Sequence, residues 1–230
     1  MIDESLPQGE EKVRAVREMF DTIAPRYDLV NRVMTFGLDV RWRKRATHSL
    51  ALPTGSVVLD IAAGTGDFCR ELQAAGLTAV GVDLSFGMLA AARTTAPLLQ
   101  GDALRLPVPD ASVDGVTCGF ALRNLMSLEP FFAELARVLR PGGRIALLDV
   151  AQPTNPILRW GHGIYFGKVV PQIGGLLNGR GRAAYRYLPK SAAYLPEGDG
   201  MTVMLRAAGF ADADRRLLSG GITQLLTGTR

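Results

Sequence analysis

The 230-residue sequence is 47% hydrophobic and 21% charged, the composition of one ordinary globular domain. No apolar run reaches the ~18 residues that cross a bilayer, and the polar start MIDESLPQGEEK is unlike a secretory signal, so we expect a cytoplasmic protein. The net charge of +4 permits contact with an anionic membrane surface or with RNA but requires neither.

Three helices are predicted ahead of the first strand. The first covers residues 10–23, because its apolar residues recur at helical spacing and its acidic start suits the helix dipole. We expect this amphipathic helix to lie across the ligand site described below. Pro25 separates it from a second helix that ends at Gly37, and a third helix covers residues 39–50.

The third helix carries a basic cluster, in which Arg41, Arg43, Lys44 and Arg45 surround Trp42. Such a cluster can contact a membrane surface or RNA. The alternative is a solvated helix face with Trp42 anchored in the core. We favour this second interpretation.

A glycine-rich turn follows the first predicted strand, residues 57–61. Gly64 and Gly66 break the apolar run directly ahead of a helix-like segment. Because glycine has no Cβ, a ligand can approach the backbone of such a turn closely. Asp60 precedes the turn and would be costly in a buried strand that had no function. We therefore favour a nucleotide-type ligand over a turn that binds nothing.

Asp83 ends the next predicted strand and suits a pair of ribose hydroxyls. The spacing nevertheless departs from the dinucleotide fingerprint G-x-G-x-x-G, because Cys69 stands where the third glycine would be. An NAD-dependent oxidoreductase would share the first strand and Asp83, but it would have no need of Asp102. That class is therefore the weaker alternative.

Strands and helices alternate from Val57 onward, which predicts a parallel sheet with helices on both faces. A ligand then belongs at the carboxyl ends of the strands, where the candidate polar residues fall. The predicted strands are 57–61, 78–82, 97–100, 113–119 and 143–149, and the predicted helices are 67–75, 86–95 and 128–138. We expect Pro141 to Gly143 to form a turn into the last of these strands.

Residues 153–195 interrupt the alternation with an apolar segment rich in glycine and proline. We interpret it as a lid over the substrate side, the alternative being an irregular surface segment. A helix over 198–208 and strands 210–218 and 221–228 close the chain, with Gly220 and Gly221 in a hairpin turn. The two cysteines, Cys69 and Cys118, are neither a disulfide framework nor a metal set, so we expect both in the core.

The pattern D-x-x-x-G-x-G-D, followed by Asp83 and Asp102, resembles the cofactor loop of class I S-adenosylmethionine methyltransferases. Nearly the whole chain is similar to one branch, the ubiquinone/menaquinone biosynthesis C-methyltransferases. Lys190 and Gly119 depart from that family, which often has Glu and Ser there. The matching residues are Phe20, Ala24, Tyr27-Asp28, Asn31, Gly37, Trp42-Arg43, FALRNL (120–125), ELARVLRPGG (134–143), IYFGKVVPQIGGLL (164–177) and YRYLPKS (185–191).

The resemblance implies a Rossmann-like α/β fold with a seven-stranded, mostly parallel sheet, an antiparallel closing strand, N-terminal helices and a lid insertion. It also implies one methyltransferase domain over residues 1–230. We expect a helical cap at 1–50, a cofactor-binding core at 51–152, a substrate-side insertion at 153–195 and a closing helix and hairpin at 196–230.

The cofactor implied by the resemblance is S-adenosyl-L-methionine, which leaves as S-adenosyl-L-homocysteine, with no metal. Asp83 would bind the ribose, Asp102 the adenine amino group and the glycine turn the methionine end, while Asp60 would set either the cofactor ammonium or the turn. Gly119 would offer a backbone contact without a hydroxyl. The full set of expected cofactor-binding residues is Asp60, Gly64, Thr65, Gly66, Asp83, Leu84, Asp102, Ala103 and Gly119.

The implied acceptor is a polyprenyl quinol, whose ring must approach its phenolate form to accept a methyl group on carbon. Arg123 is the candidate cation beside the ring oxygen, the alternative being a strand-end salt bridge, and Asn124 would orient ring or cofactor. Tyr27 and Tyr187 are weaker candidates for lining the acceptor pocket. His162 could act as a base, but a surface position is the stronger expectation.

We lean towards demethylmenaquinol as the acceptor, with the ubiquinone precursor 2-methoxy-6-polyprenyl-1,4-benzoquinol as the alternative. So apolar an acceptor favours peripheral contact with the inner face of the membrane through the first helix, the Trp42 region and the lid. We expect no nucleic-acid partner, and a homo-oligomer is compatible with the sequence. A methyltransferase of nucleic-acid or protein amino groups would usually show N/D-P-P-Y/F where this chain has ALRN, and a non-catalytic cofactor-binding scaffold is the remaining alternative.

Overall fold

The computed structural model describes residues 9–170, 172–173, 187, 191–196 and 198–230. Its centre is a seven-stranded sheet in the order β3-β2-β1-β4-β5-β7-β6, in which β7 alone runs antiparallel to its neighbours. The predicted fold class is therefore confirmed. The strands are β1 Val57–Ile61, β2 Thr78–Asp83, β3 Leu98–Gln100, β4 Val113–Gly119, β5 Leu139–Val150, β6 Ala211–Leu218 and β7 Thr223–Thr229.

Helices cover both faces of the sheet and its carboxyl edge. The described α-helices of eight or more residues are α1 Gly9–Ile23, α2 Tyr27–Met34, α3 Leu38–Leu50, α4 Asp67–Ala74, α6 Leu128–Val138, α7 Pro156–Ile164 and α8 Gly200–Ala207, and a shorter α5 spans Phe86–Ala90. A 3₁₀ turn at Leu122–Asn124 follows β4. The order of β2-β1-β4 places the ends of three neighbouring parallel strands at one edge.

The core has one layer on each face of the sheet, because successive side chains of a strand point to opposite faces. In β1, Leu59 and Ile61 pack in the layer that includes α6 and α8, whereas Val58 packs in the layer that includes α3 and α4. Both Cys69 and Cys118 are buried, as predicted. The sheet is thus buried on both faces and holds its carboxyl edge rigidly.

Strand β5 and helix α5 differ most from the predicted boundaries. The segment Pro141 to Gly143 lies inside β5 instead of before it, because Leu139 already pairs with Val113 and a register shift absorbs the turn-like residues. Helix α5 ends at Ala90, well short of residue 95. The backbone beyond it serves other contacts: Arg93 N donates to Thr65 O at 3.0 Å.

The segment after β5 is helical over Pro156–Ile164, and no helix was predicted there because the segment is rich in glycine and proline. Asn155 caps this helix by accepting from Ile157 N and Leu158 N, and Pro156 stands at the first turn, where its missing N–H costs nothing. No residue of α7 is buried. Within the predicted lid, residues 171, 174–186 and 188–190, which include Tyr185 and Lys190, lie outside the described part of the chain.

The basic cluster of α3 divides in the structure. Trp42 is buried and donates its Nε1–H to Ser219 Oγ at 2.9 Å, as the favoured interpretation requires. Arg43, however, is buried too, and it pairs with Asp39 at 2.6 Å and Asp67 at 3.3 Å. The expectation that Arg43 lies on a solvated face is wrong, because these two carboxylates hold it inside. Only Arg41, Lys44 and Arg45 remain exposed.

Candidate active site

A cavity of about 590 Å³ lies at the carboxyl edge of the sheet, under helix α1. The expected cover by the first helix is therefore observed, since Val13, Val16, Arg17 and Phe20 of α1 line this cavity. We call it the edge cavity. Five of the predicted cofactor-binding residues also line it: Asp83, Leu84, Asp102, Ala103 and Gly119.

Asp83 forms part of the cavity wall with a carboxylate held by backbone donors. Gly64 N donates to its Oδ2 at 2.7 Å and Ser85 N donates to its Oδ1 at 2.8 Å. Burial raises the pKa of this carboxyl above its usual value, while the two N–H donors oppose that shift. Each carboxylate oxygen has a further lone pair, so Asp83 can accept a pair of hydroxyls from a ligand without losing these contacts.

Asp102 lies at the outer rim of the edge cavity, on the turn after β3. Its Oδ1 accepts from Leu104 N at 2.9 Å, which fixes the turn, and the residue is exposed. Gly119 lies at the other side, where a Cβ would lie 3.1 Å from the Phe68 ring. These features fit an adenosyl group, because they combine a hydroxyl acceptor, a rim acceptor and a wall without side-chain bulk.

The glycine turn stands beside the edge cavity without lining it. Gly66 has φ +83°, and a Cβ there would lie 2.5 Å from Thr94 Cγ2, so only glycine fits. Thr65 donates its hydroxyl to Asp28 of α2. In this arrangement Asp28 of α2 accepts from the Thr65 hydroxyl and Asp83 accepts from Gly64 N. Contact of a ligand with Gly64, Thr65 and Gly66 therefore stays a prediction.

Asp60 also lies outside the cavity wall, fully buried beneath the turn. Its oxygens accept from Thr117 Oγ1 at 2.8 Å and from Cys69 Sγ at 3.6 Å. Burial raises the pKa of this carboxyl to about 7, and the Thr117 hydrogen bond opposes the shift. Of the two roles predicted for Asp60, the geometry favours support of the turn.

A second cavity of about 360 Å³ lies between α2, α7 and the carboxyl end of β5. Its wall is mainly apolar, with Phe36, Ile157, Leu158 and Tyr165 towards the outside. Arg123 belongs to the wall as well. We call it the apolar cavity.

The two cavities share part of their walls. Tyr27 and Phe120 line both, and the next polar residues divide between them: Asn124 lines the edge cavity and Arg123 lines the apolar cavity. Phe120 holds a left-handed backbone conformation with φ +62°, which is uncommon for a residue with a bulky side chain. A ligand in one cavity would therefore lie next to a ligand in the other, with only these side chains between them.

Arg123 and Asn124 keep buried polar atoms without protein partners. The Nη1 of Arg123 is paired with the buried carboxylate of Asp149, so the predicted salt-bridge alternative is present in the structure. The Nε of Arg123 and both amide atoms of Asn124 have no hydrogen-bond partner among the described residues. Unpaired buried polar atoms are costly, and beside a cavity they indicate groups that a ligand completes.

Tyr187 and His162 are brought towards the same region. The Tyr187 hydroxyl is buried without a partner among the described residues, and burial raises its pKa to about 12 while the charge of Arg123 opposes the rise. His162 lines the apolar cavity against the Phe166 ring at 4.3 Å, and burial lowers its pKa. His162 thus lies half-buried in the wall of the apolar cavity, on a helix instead of in the expected surface loop.

Several contributing residues were missed by the sequence analysis. Asp21 of α1 accepts from Ser85 Oγ at 2.5 Å and Gly87 N at 2.9 Å, and Lys12 donates to Leu125 O at 2.7 Å with its Nζ 3.6 Å from the Tyr194 ring centroid. Burial lowers the pKa of Lys12 to about 8. Neither residue has a sequence signal, because a single polar residue on an amphipathic helix does not reveal what it contacts. Asp149 did have a sequence signal, because it stands at the carboxyl end of an apolar strand just as Asp83 does.

Comparison with known proteins places the chain in a family. The model of the ubiE/COQ5 methyltransferase family matches residues 7–230. The chain belongs to the ubiE/COQ5 methyltransferase family. The resemblance proposed from the sequence motifs is thereby confirmed.

The relatives in this family match over almost their full lengths. A demethylmenaquinone methyltransferase of Deinococcus radiodurans is 44% identical, covering 92% of this chain and 91% of its own. One of Roseiflexus castenholzii is 42% identical, covering 98% and 97%. A protein of Syntrophotalea carbinolica named ubiquinone/menaquinone biosynthesis C-methyltransferase UbiE is 42% identical, covering 93% of each.

Solved structures share the fold at low identity. A Thermotoga maritima S-adenosylmethionine-dependent methyltransferase, described as a possible histamine N-methyltransferase, is 20% identical with a TM-score of 0.66, covering 93% of this chain and 98% of that one. The Haemonchus contortus phosphoethanolamine N-methyltransferase 2 complex with S-adenosyl-L-methionine is 15% identical with a TM-score of 0.58. It matches 80% of this chain, which spans about half of that longer one, 52%.

Within the described ranges, the search for membrane-crossing segments finds no helix that is both long and apolar enough. The same part of the chain holds no cluster of three His, Cys, Asp or Glu side chains arranged as metal ligands.

Proposed function

We propose that this chain transfers a methyl group from S-adenosylmethionine to a ring carbon of a polyprenyl quinol, with demethylmenaquinol as the acceptor. The observation that carries the proposal is the pair of cavities with a shared wall, one with ribose-type acceptors and one apolar with a buried cation. The names of the Deinococcus and Roseiflexus relatives favour the menaquinone precursor. The UbiE name of the Syntrophotalea relative keeps the ubiquinone precursor as the alternative.

In the edge cavity, Asp83 accepts the ribose hydroxyls and Asp102 the adenine amino group. Leu84, Ala103 and Gly119 form the surrounding wall. When bound there, the cofactor supplies the methyl group from its sulfonium. Asp60 supports the turn of Gly64, Thr65 and Gly66 from beneath, and the turn holds the methionine end once the Asp28 contact to Thr65 yields.

In the apolar cavity, Arg123 stabilises the quinol oxygen as it loses its proton. Its Nε offers a donor that no described residue accepts, and a cation in a water-poor site favours the phenolate form. Asn124 orients the ring or the cofactor from the neighbouring cavity, and Tyr27 lines the ring site. Tyr187, which is outside the described wall of this cavity, stays the weaker candidate for a contact with the ring. Arginine holds its own proton too strongly to act as the base.

We also propose that the mouth of the apolar cavity contacts an anionic membrane surface, with the chain otherwise in the cytoplasm. The mouth carries apolar side chains that face solvent: Phe36 is 78% exposed, Ile157 77% and Trp160 72%. Residues 156–170 include Arg159 and Lys168 but no Asp or Glu. This surface keeps the lid part of the expected membrane contact, through α7, but not the first helix or the Trp42 region, because α1 covers the edge cavity and Trp42 is buried. Apolar side chains with tryptophan and basic residues suit the bilayer interface.

The proposed reaction is tested by incubating the purified protein with labelled S-adenosylmethionine and reduced short-chain acceptors. We expect a product of demethylmenaquinol that is heavier by one methylene, and a much slower reaction with the ubiquinone precursor. Asp83→Asn should weaken S-adenosylhomocysteine binding roughly tenfold or more in calorimetry, because a charge-assisted hydrogen bond is lost. Absence of methylated product with both acceptors would refute the substrate.

The membrane surface is tested by sedimentation with vesicles. Binding to phosphatidylglycerol-containing vesicles should exceed binding to pure phosphatidylcholine, and the pair Ile157→Ser and Trp160→Ser should weaken it roughly tenfold or more, since each apolar side chain contributes about 1.5–3 kcal/mol on burial. Val203→Ser is the matched control, because Val203 is 60% exposed on α8. Equal binding of all variants would contradict this surface.

A further inference from the structure

The carboxylate of Asp149 is fully buried at the end of β5, with 0% of the residue exposed. Its Oδ1 pairs with Arg123 Nη1 and accepts from Val150 N at 2.7 Å, and its Oδ2 accepts from Arg123 N at 3.2 Å. One carboxylate thus fixes both the backbone and the side chain of Arg123. This is more than charge neutralisation, because it sets where the guanidinium points.

Stability gives a weak reason for such a pair. The cost of taking two charges out of water usually offsets their attraction, and apolar replacements are often as stable. Arg123 is itself 5% exposed, yet its Nε lacks a partner among the described residues. A pair built for stability alone would satisfy that donor as well. The unsatisfied Nε beside the apolar cavity indicates that the pair is arranged for a ligand.

We propose that Asp149 is a positioning residue: it holds the Arg123 guanidinium by Nη1 so that the Nε edge meets the oxygen of the quinol. This inference rests on the proposed function, since it presupposes that Arg123 acts on the acceptor. Asp149 forms no part of the described wall of either cavity, so it acts through Arg123. Its carboxylate also lets a cation persist in an apolar wall before the quinolate forms.

The test compares wild type, Asp149→Asn, Asp149→Glu, Arg123→Gln and the double variant Asp149→Asn with Arg123→Gln. Steady-state kcat and KM are measured with short-chain demethylmenaquinol, and the Kd for S-adenosylhomocysteine is measured by calorimetry. We expect Asp149→Asn to lower kcat roughly 10- to 100-fold, since a displaced catalytic group costs about that much, while KM and Kd stay within about threefold. Asp149→Glu should recover part of kcat, because the carboxylate is kept.

The double variant carries the decision. If Asp149 acts only through Arg123, Asp149→Asn lowers kcat in the wild-type background but leaves kcat of Arg123→Gln unchanged. Equal losses in both backgrounds, or a wild-type kcat in Asp149→Asn, overturn the positioning role. If Asp149→Asn does not fold, Asp149→Glu is compared in the wild-type and Arg123→Gln backgrounds instead. The double variant Asp149→Asn with Arg123→Gln leaves no unpaired charge, because both charged groups are removed.

Asp114→Asn is the matched control. Asp114 also pairs with an arginine, Arg140, and also accepts from a backbone N–H, that of Val57 at 2.8 Å, but it lies at the amino end of β4. We expect its kcat to equal that of wild type. A wild-type kcat in Arg123→Gln would refute the catalytic role of Arg123 in the proposed function, whereas loss in Arg123→Gln with wild-type kcat in Asp149→Asn refutes only the inference about Asp149.

Discussion

At the scale of single residues, the site is governed by carboxylates that follow buried strands. Asp60, Asp83 and Asp149 each occupy one of the last two positions of β1, β2 and β5, and each has a different partner: a hydroxyl, two backbone N–H groups and a guanidinium. Their positions could be predicted, because a polar residue after an apolar run marks the carboxyl edge of a parallel sheet. Their partners could not, because Thr117 and Arg123 reach them only through the packing of neighbouring strands.

The pKa of Asp60 leads to a prediction about stability. Because burial raises this pKa from 3.8 to about 7, the native chain holds a proton between those pH values that the unfolded chain has lost. The free energy of unfolding should therefore fall as pH rises through this window, by about 1.4 kcal/mol per pH unit from this group. Urea unfolding from pH 4.5 to 7 measures the slope of the free energy of unfolding against pH. In Asp60→Asn the contribution of this carboxyl to the slope should be absent.

Asp114→Asn provides the control for this experiment. Its carboxyl has a pKa lowered by the Val57 N–H, so the stability it contributes is lost only as pH falls below its unfolded value near 3.8. Across pH 4.5 to 7 the variant should differ from wild type by a constant amount. An Asp60→Asn variant that keeps the wild-type slope would contradict the raised pKa.

At the scale of elements, the local pattern predicted most of the strands and helices, and helix α6 has the predicted bounds. Strands β1 and β4 have the predicted bounds, since short apolar runs between turn residues leave few alternatives. Helix α7 was missed because two glycines and a proline lower helix propensity, whereas the Asn155 cap and the wall of the apolar cavity stabilise it. The cap and the tertiary contacts of α7 therefore outweigh its low helix propensity.

Helix α1 is fixed over the edge cavity at both ends, by Lys12 and by Asp21. Asp21→Ala should free the second end and weaken S-adenosylhomocysteine binding roughly 3- to 10-fold, which is the worth of one or two exposed hydrogen bonds. Hydrogen exchange of residues 10–23 should become faster while the melting temperature changes little. Calorimetry and hydrogen exchange measure the two effects.

Glu11→Ala is the control for the α1 prediction, because Glu11 is exposed on the same helix. It should leave both affinity and exchange at wild-type values. If Asp21→Ala behaves as Glu11→Ala does, α1 is held by its apolar face alone, and the Asp21 contact contributes nothing to the cover.

At the scale of the whole molecule, the edge cavity and the apolar cavity share a wall formed by Tyr27 and Phe120. The edge cavity could be placed from the sequence, because sheet topology dictates it. The apolar cavity could not, since Phe36 and Ile157 are more than a hundred positions apart in the sequence and line the same cavity only in the folded chain. Because Arg123 and Asn124 are neighbours in one 3₁₀ turn, this turn contributes one residue to the wall of each cavity.

A structure of the chain with S-adenosylhomocysteine and a short-chain demethylmenaquinol most directly tests the proposal that cofactor and acceptor bind in the two neighbouring cavities. We predict the ribose hydroxyls on Asp83, the adenine beside Asp102 and the quinol ring in the apolar cavity with an oxygen at Arg123, the two ligands meeting between Tyr27 and Phe120. An edge cavity without the nucleoside, or a ring bound away from Arg123, would contradict the account.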